Sequence, residues 1–491
     1  MKRTLPTLHT SHLSANEEAL VRCRAALDLK DKGDYDGALE VMRRLWGGVG
    51  LRPESGALAP PVAAEVLLSV GTLTGWIGSK NKIRGAQETA KNLITDAITL
   101  YESAGDTKQI AAVRAEIAYC YFREGALNEA RIMLTEALKT ITTEGNTRAK
   151  ALLRLAIVES SALRYNEAQA ILTANAHLFR KITNHSIKGA YHSQIAIILR
   201  HLITPENRRE YFQRAVAEYQ KADRELRLAG NTMFRANVKN NIGLLLLNLS
   251  RLKEAHRYVD EARRLAVNLR NKVRTAEFDE TRAQVLIAQR RFKEAESVIR
   301  GAVSTFKRSG QQCLLAEALT THGIALARLK KVERAQFTFQ KAIEIAHQVG
   351  ALNLAGLAAL TMIEELDQLP LDVLHTAHEN ASEWLAENEQ FSLRLNEAAR
   401  KVFARMHVEN KLEGKPDSLF NKPRNFTQEL LDIEREMIRK ALAKVNGSVT
   451  HAASLLDMSY QRLAYLIESR HKDLLKERSP VRRRLRKHQQ K

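Results

Sequence analysis

The chain has 491 residues, among them 23 glycines and 9 prolines, and it carries a formal net charge of +21. The scarcity of glycine and proline excludes an extended disordered chain and a β-rich chain, and with abundant Ala, Leu, Glu, Arg and Lys it indicates an all-α protein. Three widely separated cysteines, Cys23, Cys120 and Cys313, support neither a disulfide framework nor a thiolate metal site. No apolar run approaches the roughly 18 residues that cross a bilayer, so we expect a cytoplasmic protein without a membrane segment.

The first elements along the chain are predicted to be a disordered N-terminus and one helix pair. Residues 1–15 lack helical periodicity. Residues 17–29 and 33–46 then form two amphipathic stretches in which Ala26 and Ala38, twelve positions apart, occupy the predicted crossing of the two helices. Residues 47–61 contain several glycines and prolines, so we predict an irregular insertion there.

One pattern then recurs along most of the chain, and between residues 208 and 346 it recurs every forty residues. Each copy has an alanine, a larger apolar residue four positions later and a further alanine seven positions later, which places the three side chains on one helical stripe. A small residue twelve positions earlier lets the preceding helix approach closely. We therefore predict antiparallel helix pairs that stack into a solenoid. The leading alanines of the eight predicted pairs are Ala38, Ala90, Ala130, Ala168, Ala215, Ala255, Ala295 and Ala335.

The regular spacing breaks down at two places. In the fourth pair Asn175 replaces the second alanine, and the interval from Ala168 to Ala215 is 47 residues, so we expect the turn at 201–207 to absorb the excess. A ninth, degenerate pair is predicted at 351–385, interrupted by Pro370, followed by a capping helix at 390–412. The predicted fold of residues 16–412 is thus an all-α solenoid of about eight to nine helix pairs.

This pattern resembles the tetratricopeptide repeat, in a form longer than the usual length of about 34 residues. The resemblance implies that the first helix of each pair lines a concave groove that binds a protein, a peptide or a small ligand. Paired asparagines suit a peptide backbone because each amide both donates and accepts hydrogen bonds. A merely solvated polar face explains the same residues equally well. The candidate groove residues are Asn237, Asn240, Asn241, Glu277, Glu280, Gln284, Glu317 and Thr320.

Residues 413–425 carry two prolines and a glycine without periodicity and are predicted to be a linker. Residues 426–475 form a small three-helix unit. Its first helix has an apolar face that includes Met437 and ends at Asn446-Gly447, a left-handed cap. Ser448 and Ser459 can each cap a further short helix through the side chain, and two short helices joined by a brief turn are typical of a helix-turn-helix.

Residues 433–470 resemble the Fis-type helix-turn-helix of bacterial transcription regulators. The matching features are the IERE segment, the NGS break, the Ala452-Ala453 pair, Leu455-Leu456 and the start at Ser459. The resemblance implies a dimeric module whose last helix enters the major groove of duplex DNA in the bacterial cytoplasm. By position, the residues that would contact DNA are His451, Ser459, Tyr460, Arg462 and Tyr465.

Two side chains of that last helix could read bases, and the basic tail could add affinity. Arg462 can bond guanine in bidentate fashion, and Gln461 can pair with adenine. Ala464 and Glu468 stand where basic residues are frequent in this family, so we expect the module alone to bind weakly. Residues 476–491 carry eight basic residues and one acidic residue and could neutralise phosphates, although a solvated charge run, RNA or an acidic partner are alternatives. The tail arginines are Arg482, Arg483, Arg484 and Arg486.

Nothing in the sequence indicates catalysis. The dinucleotide, P-loop, zinc-protease and nucleophile-elbow motifs are absent, and the histidines are scattered, so we predict no catalytic residue, metal or cofactor. The sequence favours a DNA-binding regulator with a ligand-receiving solenoid and a possible homodimer. The alternative is a non-enzymatic scaffold or adaptor for protein–protein interaction in which the tail is a nonspecific anchor.

Overall fold

A computed structural model describes residues 12–386, 391–412, 426–456 and 458–478, and the regular structure in these ranges is helical throughout. The chain divides into two compact units, one up to Ala399 and one from Arg400. In the described ranges, the α3 helix (Pro60–Asn81) is long and apolar enough by composition to cross a membrane, but 72% of its apolar window is buried inside the protein.

The first unit is a stack of antiparallel helix pairs, as the repeat predicted. Up to Trp384, each helix packs against the next one along the chain. The helices are α1 (Ala15–Asp31), α2 (Tyr35–Met42), α3, α4 (Ala86–Ser103), α5 (Thr107–Glu124), α6 (Leu127–Thr140), α7 (Asn146–Ser161), α8 (Tyr165–Ala174), α9 (Ala176–Lys181), α10 (His185–His201), α11 (Arg208–Leu228), α12 (Thr232–Asn248), α13 (Leu252–Asn268), α14 (Lys272–Ala288), α15 (Phe292–Ser309), α16 (Gln312–Arg328), α17 (Val332–Gln348), α18 (Leu352–Glu365) and α19 (Leu371–Trp384). A further helix, α20 (Ser392–Leu412), spans the boundary between the two units.

Small residues set the distance between the two helices of a pair. All eight leading alanines are fully buried. A Cβ atom at Gly243 would lie 2.3 Å from Cγ2 of Val259, and one at Gly323 would lie 2.7 Å from the ring of Phe339. Since real Cβ contacts are not this short, a larger residue at either position would push the paired helix away.

The fourth pair departs from the pattern at Asn175. Its second helix is broken there into α8 and α9, and the side chain of Asn175 donates to the carbonyl of Ile171 at 2.8 Å. The excess length comes later, because the connection at 202–207 has six residues where the next pair has three, and α11 has 21 residues where α13 has 17.

The solenoid coils so that the turn after α1 meets the start of α12. The carbonyl of Asp31 accepts hydrogen bonds from Nδ2 of Asn231 at 2.8 Å and from Oγ of Ser186 at 3.3 Å. Gly33 has a φ of +77°, and a Cβ on it would lie 3.3 Å from Oδ1 of Asn231. We call this set of contacts the closing contact. It joins the first helix pair to the fifth and sixth pairs.

The second unit has a small core of its own. Its helices are α21 (Phe426–Lys444), α22 (Val449–Leu455), α23 (Tyr460–Ser469) and a terminal 3-10 helix (Lys472–Glu477). The core residues are Ile438, Ala441, Leu442, Val449, Ala452, Ala453, Leu463, Ile467 and Leu474. Met437, expected on the apolar face, is instead 56% exposed, because the helical stripe that contacts α22 and α23 passes through Ile438 and Leu442.

Candidate functional site

The helix-turn-helix is shaped by its two turns. Asn446 and Gly447 have φ values of 51° and 78°, and the Gly447 amide donates to the carbonyl of Leu442 at 2.8 Å, so α21 ends in the predicted left-handed cap. Ser459 also acts as predicted, because its Oγ accepts from the Arg462 amide at 3.2 Å. Ser448 does not, since it occupies the N-cap position of α22 without a side-chain capping bond.

The last helix, α23, has one buried and one exposed face. Leu463 and Ile467 are fully buried in the core of the unit. The side chains of Tyr460, Gln461 and Arg462 are exposed, and Tyr465 is 65% exposed. Spacing along a helix separates the two sets, because residues four apart share a face. Gln461, Arg462 and Tyr465 therefore share the solvent side of α23, whereas Tyr460 is exposed at the first position of the helix. Their DNA contacts stay predictions.

The remaining candidates near this helix differ in their surroundings. His451 is exposed on α22, and Ser459 is exposed although its hydroxyl caps α23. Arg462 forms no ion pair with any described residue, whereas Arg435 bonds Asp473 at 2.7 Å and Arg439 bonds Glu477 at 3.1 Å. Among the described residues, Arg462 is thus an exposed cation without an ion pair. The four tail arginines, Arg482, Arg483, Arg484 and Arg486, lie outside the described residues.

A buried histidine that the sequence did not single out anchors the 3-10 helix. His471 is almost fully buried, and its Nε2 lies 2.7 Å from a carboxylate oxygen of Glu434 on α21. Arg470 also approaches Glu434, at 3.4 Å, and Arg478 bonds Glu468 at 3.1 Å. No local pattern marks these pairs, because their partners are separated by 10 to 37 residues. They hold the chain after α23 against the helix-turn-helix.

The predicted groove residues on α12 are only partly available. Asn241 uses its side-chain amide to donate to the hydroxyl of Tyr219 at 3.3 Å. The Oδ1 atoms of Asn237 and Asn240 are buried and have no hydrogen-bond partner among the described residues. An unsatisfied buried acceptor is unfavourable by about 1–3 kcal/mol, so these two amides can gain from a donor supplied by a ligand.

The predicted groove residues on α14 and α16 form an acidic cluster with internal bonds. Glu280 accepts from the hydroxyl of Thr321 at 2.7 Å and from Nε2 of Gln284 at 2.6 Å. Burial raises the pKa of Glu280 to about 7, against the lowering effect of those two bonds. Burial also raises the pKa of Glu317, and repulsion from Glu277 adds to it. Thr320 bonds back to its own helix at the Ala316 carbonyl. Ligand binding by this set stays a prediction.

Replacing Glu280 with glutamine should stabilise the solenoid at alkaline pH. A carboxyl whose pKa is raised on folding contributes to the free energy of unfolding. This contribution is fully present below the ordinary pKa of the carboxyl and is lost as pH rises through about 7. Since Glu280 is partly accessible, we expect the Glu280→Gln chain to be more stable by about 1–2 kcal/mol at pH 8 and equal in stability to the unmodified chain at about pH 4, below the ordinary pKa of the carboxyl. Thermal unfolding at the two pH values measures this. A gain of the same size at both would contradict a titrating Glu280.

A large open space lies elsewhere, inside the first half of the solenoid. A cavity of about 690 Å³ is bounded by residues of α1, α2, α3, α5, α7, α10 and α12. Of the predicted groove residues, only Asn237 lines it. Sequence reasoning missed this cavity because its walls come from helices that are far apart in the sequence. Its polar and charged lining includes Lys30, Asp31, Glu116, Asn146, Lys150, Arg154, Asn184, Ser193, Gln194 and Asn231.

The cavity contains a charge cluster. Glu116 accepts from Nζ of Lys150 at 2.5 Å and from Nη2 of Arg154 at 2.6 Å. Burial alone would raise the pKa of Glu116, but the charges and hydrogen bonds of Arg154 and Lys150 outweigh it and hold that pKa well below its usual range. Burial lowers the pKa of Lys150 to about 8 against the opposing charge of Glu116. In the described part of the chain, no group of three or more His, Cys, Asp or Glu side chains is placed to hold a metal ion.

Comparison with known proteins gives a family for the C-terminal unit. Residues 429–467 match the model of the bacterial regulatory protein, Fis family. This match covers α22 and most of α21 and α23, so it includes both turns and the exposed face of α23. No curated protein matches the chain.

Solved structures resemble the solenoid. A signal transduction ATPase with numerous domains and a tetratricopeptide repeat sensor, from Pyrococcus horikoshii, aligns at 18% identity and a TM-score of 0.50, covering 74% of this chain and 54% of that one. This chain therefore spans about half the length of that structure. The apo quorum sensor NprR from B. thuringiensis aligns at 14% identity and a TM-score of 0.44 (68% and 89% coverage). Aspartyl phosphate phosphatase F from Bacillus subtilis aligns at 13% and 0.39 (76% and 94%).

These comparisons concern the two units of the chain separately. The sensor-bearing structure supports the fold of the first unit alone, whereas the family match identifies the type of the second. The chain is a tetratricopeptide-like solenoid that ends in a helix-turn-helix of the bacterial Fis family.

Proposed function

We propose that the protein is a DNA-binding transcription regulator in which α23 reads the major groove of duplex DNA and the solenoid receives a protein, a peptide or a small ligand. The observation that carries this proposal is the solvent face of α23. It presents Gln461, Arg462 and Tyr465 on a helix whose opposite face is locked into the core by Leu463 and Ile467. Such a protein acts in the bacterial cytoplasm, where its DNA is, and the proposal assigns it no catalytic step.

In this proposal, Arg462 is the main residue that recognises the base sequence of the DNA. A guanidinium group can donate two parallel hydrogen bonds to the O6 and N7 atoms of guanine. Because Arg462 has no ion pair with a described residue, no bond to a described carboxylate has to break first. Gln461 precedes it on the same face and could pair with adenine. The tail arginines would add contacts to phosphates, which raise affinity without reading sequence.

Two copies of the chain would bind an operator with two-fold symmetry. Helix-turn-helix dimers contact half-sites about 34 Å apart, one turn of the duplex. A ligand that changes the presentation of two α23 helices would therefore change operator affinity. Equal operator affinity of the ligand-saturated and ligand-free protein would exclude this coupling, although it would leave DNA binding itself untouched.

The test of the proposal is a double variant of the full chain, Arg462→Ala with Tyr465→Ala. Sequences bound by the unmodified protein are first selected from random duplex DNA. We expect the variant to lose about 1–3 kcal/mol of discrimination between a selected and a scrambled duplex for each base contact removed. Salt-sensitive binding to the scrambled duplex should persist, because phosphate contacts supply it. Fluorescence anisotropy at several salt concentrations measures both quantities.

A matched control separates base reading from the loss of positive charge. Lys440 is exposed on α21, away from α23 in sequence, and we expect Lys440→Ala to leave the discrimination unchanged. If the unmodified chain shows no preference for any selected duplex, and the double variant binds DNA equally well, the scaffold or adaptor function replaces the regulator.

A further inference from the structure

The cavity in the first half of the solenoid has the size of a binding site for a small molecule. Its volume of about 690 Å³ lies within the range of about 300–1,000 Å³ that is usual for such sites. Its walls come from seven helices that are spread over the first six helix pairs. The closing contact at Asp31, Asn231 and Ser186 lies at its border, since all three residues line the cavity.

One wall of the cavity is aromatic. The rings of Trp76 and Tyr119 lie 5.6 Å apart, and the ring of Tyr35 is stacked 6.2 Å from Trp76. All three residues line the cavity together with Leu68, Ile157 and Phe234. Such a wall favours a ligand with a flat or apolar body, because aromatic pairs contribute beyond the area they bury.

Positive charge exceeds negative charge around this space. Lys30, Lys150 and Arg154 line the cavity with only two carboxylates, Asp31 and Glu116, an excess of one cation. A fourth cation, Arg123, lies over the rings of Trp76 and Tyr119 at 3.9 Å and 4.6 Å. Arg123 forms no ion pair with a described residue. The site therefore favours an anion, which would offset charge that the protein leaves uncompensated.

The two cations beside Glu116 differ in the hydrogen-bond donors that they can present to a ligand. Arg154 is 5% exposed and already donates to the Ala115 carbonyl at 2.8 Å and to Glu116. The Lys150 side chain keeps 38% of its surface accessible, and one of the three donors of its ammonium group is used by Glu116. Lys150 is thus the cation with donors to spare at the surface of the cavity.

A second group needs a partner from outside the chain. Asn237 lines the cavity, and its Oδ1 atom is buried without a hydrogen-bond donor in the described ranges. A carbonyl oxygen in this position accepts from a hydroxyl or an N–H group. A ligand with such a donor would satisfy it.

We propose that this cavity binds a small organic acid with an aromatic or apolar body, whose carboxylate is held by Lys150 with support from Arg154 and whose body lies along Trp76 and Tyr119. A hydroxyl or amino substituent on the ligand donates to Asn237. This inference deepens the ligand-receiving part of the proposed function and rests on it. It places the ligand site on the first six pairs and away from the acidic cluster of α14 and α16.

The ligand site responds to pH through Lys150. Burial lowers the pKa of Lys150 to about 8. Glu116 opposes this, while Arg154 and Lys30, the other cations that act on Lys150, add to it. A bound carboxylate favours the charged amine, so binding near pH 8 takes up protons. Affinity for the acid therefore falls as pH rises above 8.

The experiment is a calorimetric titration of the full chain without DNA. The probes are 3-phenylpropionate, its uncharged analogue 3-phenylpropan-1-ol, and phenylalanine, which adds an amino donor. We expect the acid to bind at least about tenfold more tightly than the alcohol, because a charge-assisted bond is lost in the alcohol. Titrations at pH 8 in two buffers of different ionisation enthalpy should reveal proton uptake.

Variants locate the site. Lys150→Met should weaken binding of the acid by about tenfold or more and leave the alcohol unchanged, whereas Lys150→Arg should retain binding of the acid. Lys139→Met is the matched control, because Lys139 pairs with Glu136 at 2.7 Å and does not line the cavity. Asn237→Leu should remove any preference for phenylalanine over 3-phenylpropionate. Circular dichroism melts confirm that each variant is folded.

Two sources can supply such a carboxylate, a free organic acid and the C-terminus of a peptide. A short peptide ending in phenylalanine, titrated with a free and with an amidated C-terminus, distinguishes them. Tighter binding of the free peptide than of 3-phenylpropionate identifies a peptide terminus as the source, and the reverse identifies a free acid.

Equal binding of acid and alcohol, equal effects of Lys150→Met and Lys139→Met, or no binding of any probe at about 10 mM would each overturn the proposal. If Lys150→Met does not fold, the acid-to-alcohol ratio in the unmodified chain decides. Since no titration contains DNA, a failure of α23 to bind duplex leaves these results unaffected.

Discussion

Replacing Glu116 with leucine is expected to lower the stability of the solenoid by about 3–5 kcal/mol, the usual cost of breaking a buried ion pair by removing one partner. Glu116 bonds both Lys150 and Arg154, so the variant leaves two cations facing each other without a counter-charge. Thermal unfolding followed by circular dichroism measures the loss. Hydrogen exchange in α5 and α7, which carry these three residues, should show where it acts.

The acid limb of the pH profile provides a second readout of Glu116. A carboxyl whose pKa is lowered on folding contributes stability above its unfolded pKa and loses it as pH falls through the folded value. The unmodified chain should therefore lose this contribution progressively below the ordinary value of 4.5, and the Glu116→Leu chain should not. Glu136→Leu is the control, because Glu136 is 58% exposed in its pair with Lys139 and such pairs contribute at most about 1 kcal/mol. Similar losses in the two variants would contradict a structural role for the cluster.

Leu463→Ala should unfold the helix-turn-helix and abolish duplex binding. Leu463 is fully buried in the core of the second unit, and truncating such a leucine costs about 2–5 kcal/mol. A unit of this size rarely has more than about 3–5 kcal/mol of stability, so the variant should be largely unfolded there. Hydrogen exchange of the α22 and α23 amides in the full chain measures the unfolding, and anisotropy measures binding to a selected duplex.

A neighbouring leucine provides the control for Leu463. Leu455, on α22, is 50% exposed, so we expect Leu455→Ala to cost less than about 1 kcal/mol and to preserve binding. A Leu463→Ala chain with rapid exchange throughout α23 and unchanged affinity for the selected duplex would show that α23 is not the reading helix.

The repeat could be read from the sequence because its information is local. Small residues at crossing positions and apolar residues four and seven positions along define one buried face of each helix, and Gly243 and Gly323 pack as that spacing requires. Even the weak position was informative, since Asn175 proved to be the point where the helix breaks. The exposed face of α23 was predictable for the same reason, because Leu463 and Ile467 determine which side is buried.

The cavity could not be predicted, because its residues share no local pattern. Glu116 and Arg154 are 38 residues apart, and Asp31 and Asn231 are 200 residues apart. Which of these meet depends on the curvature that accumulates over six helix pairs. Ser448 and Met437 show a smaller failure, since sequence indicates a suitable residue at a cap or on a face but does not establish that its side chain is used.

The closing contact changes how the solenoid should melt. In an open array of repeats, each repeat is coupled only to its neighbours, and the ends can fray independently of the middle. Here a hydrogen bond from Asn231 to Asp31 ties the first pair to the sixth, so fraying of the N-terminal helices is opposed by the middle of the array. Cooperativity thus extends over six pairs, and the first pair should resist proteolysis better than a free terminal repeat.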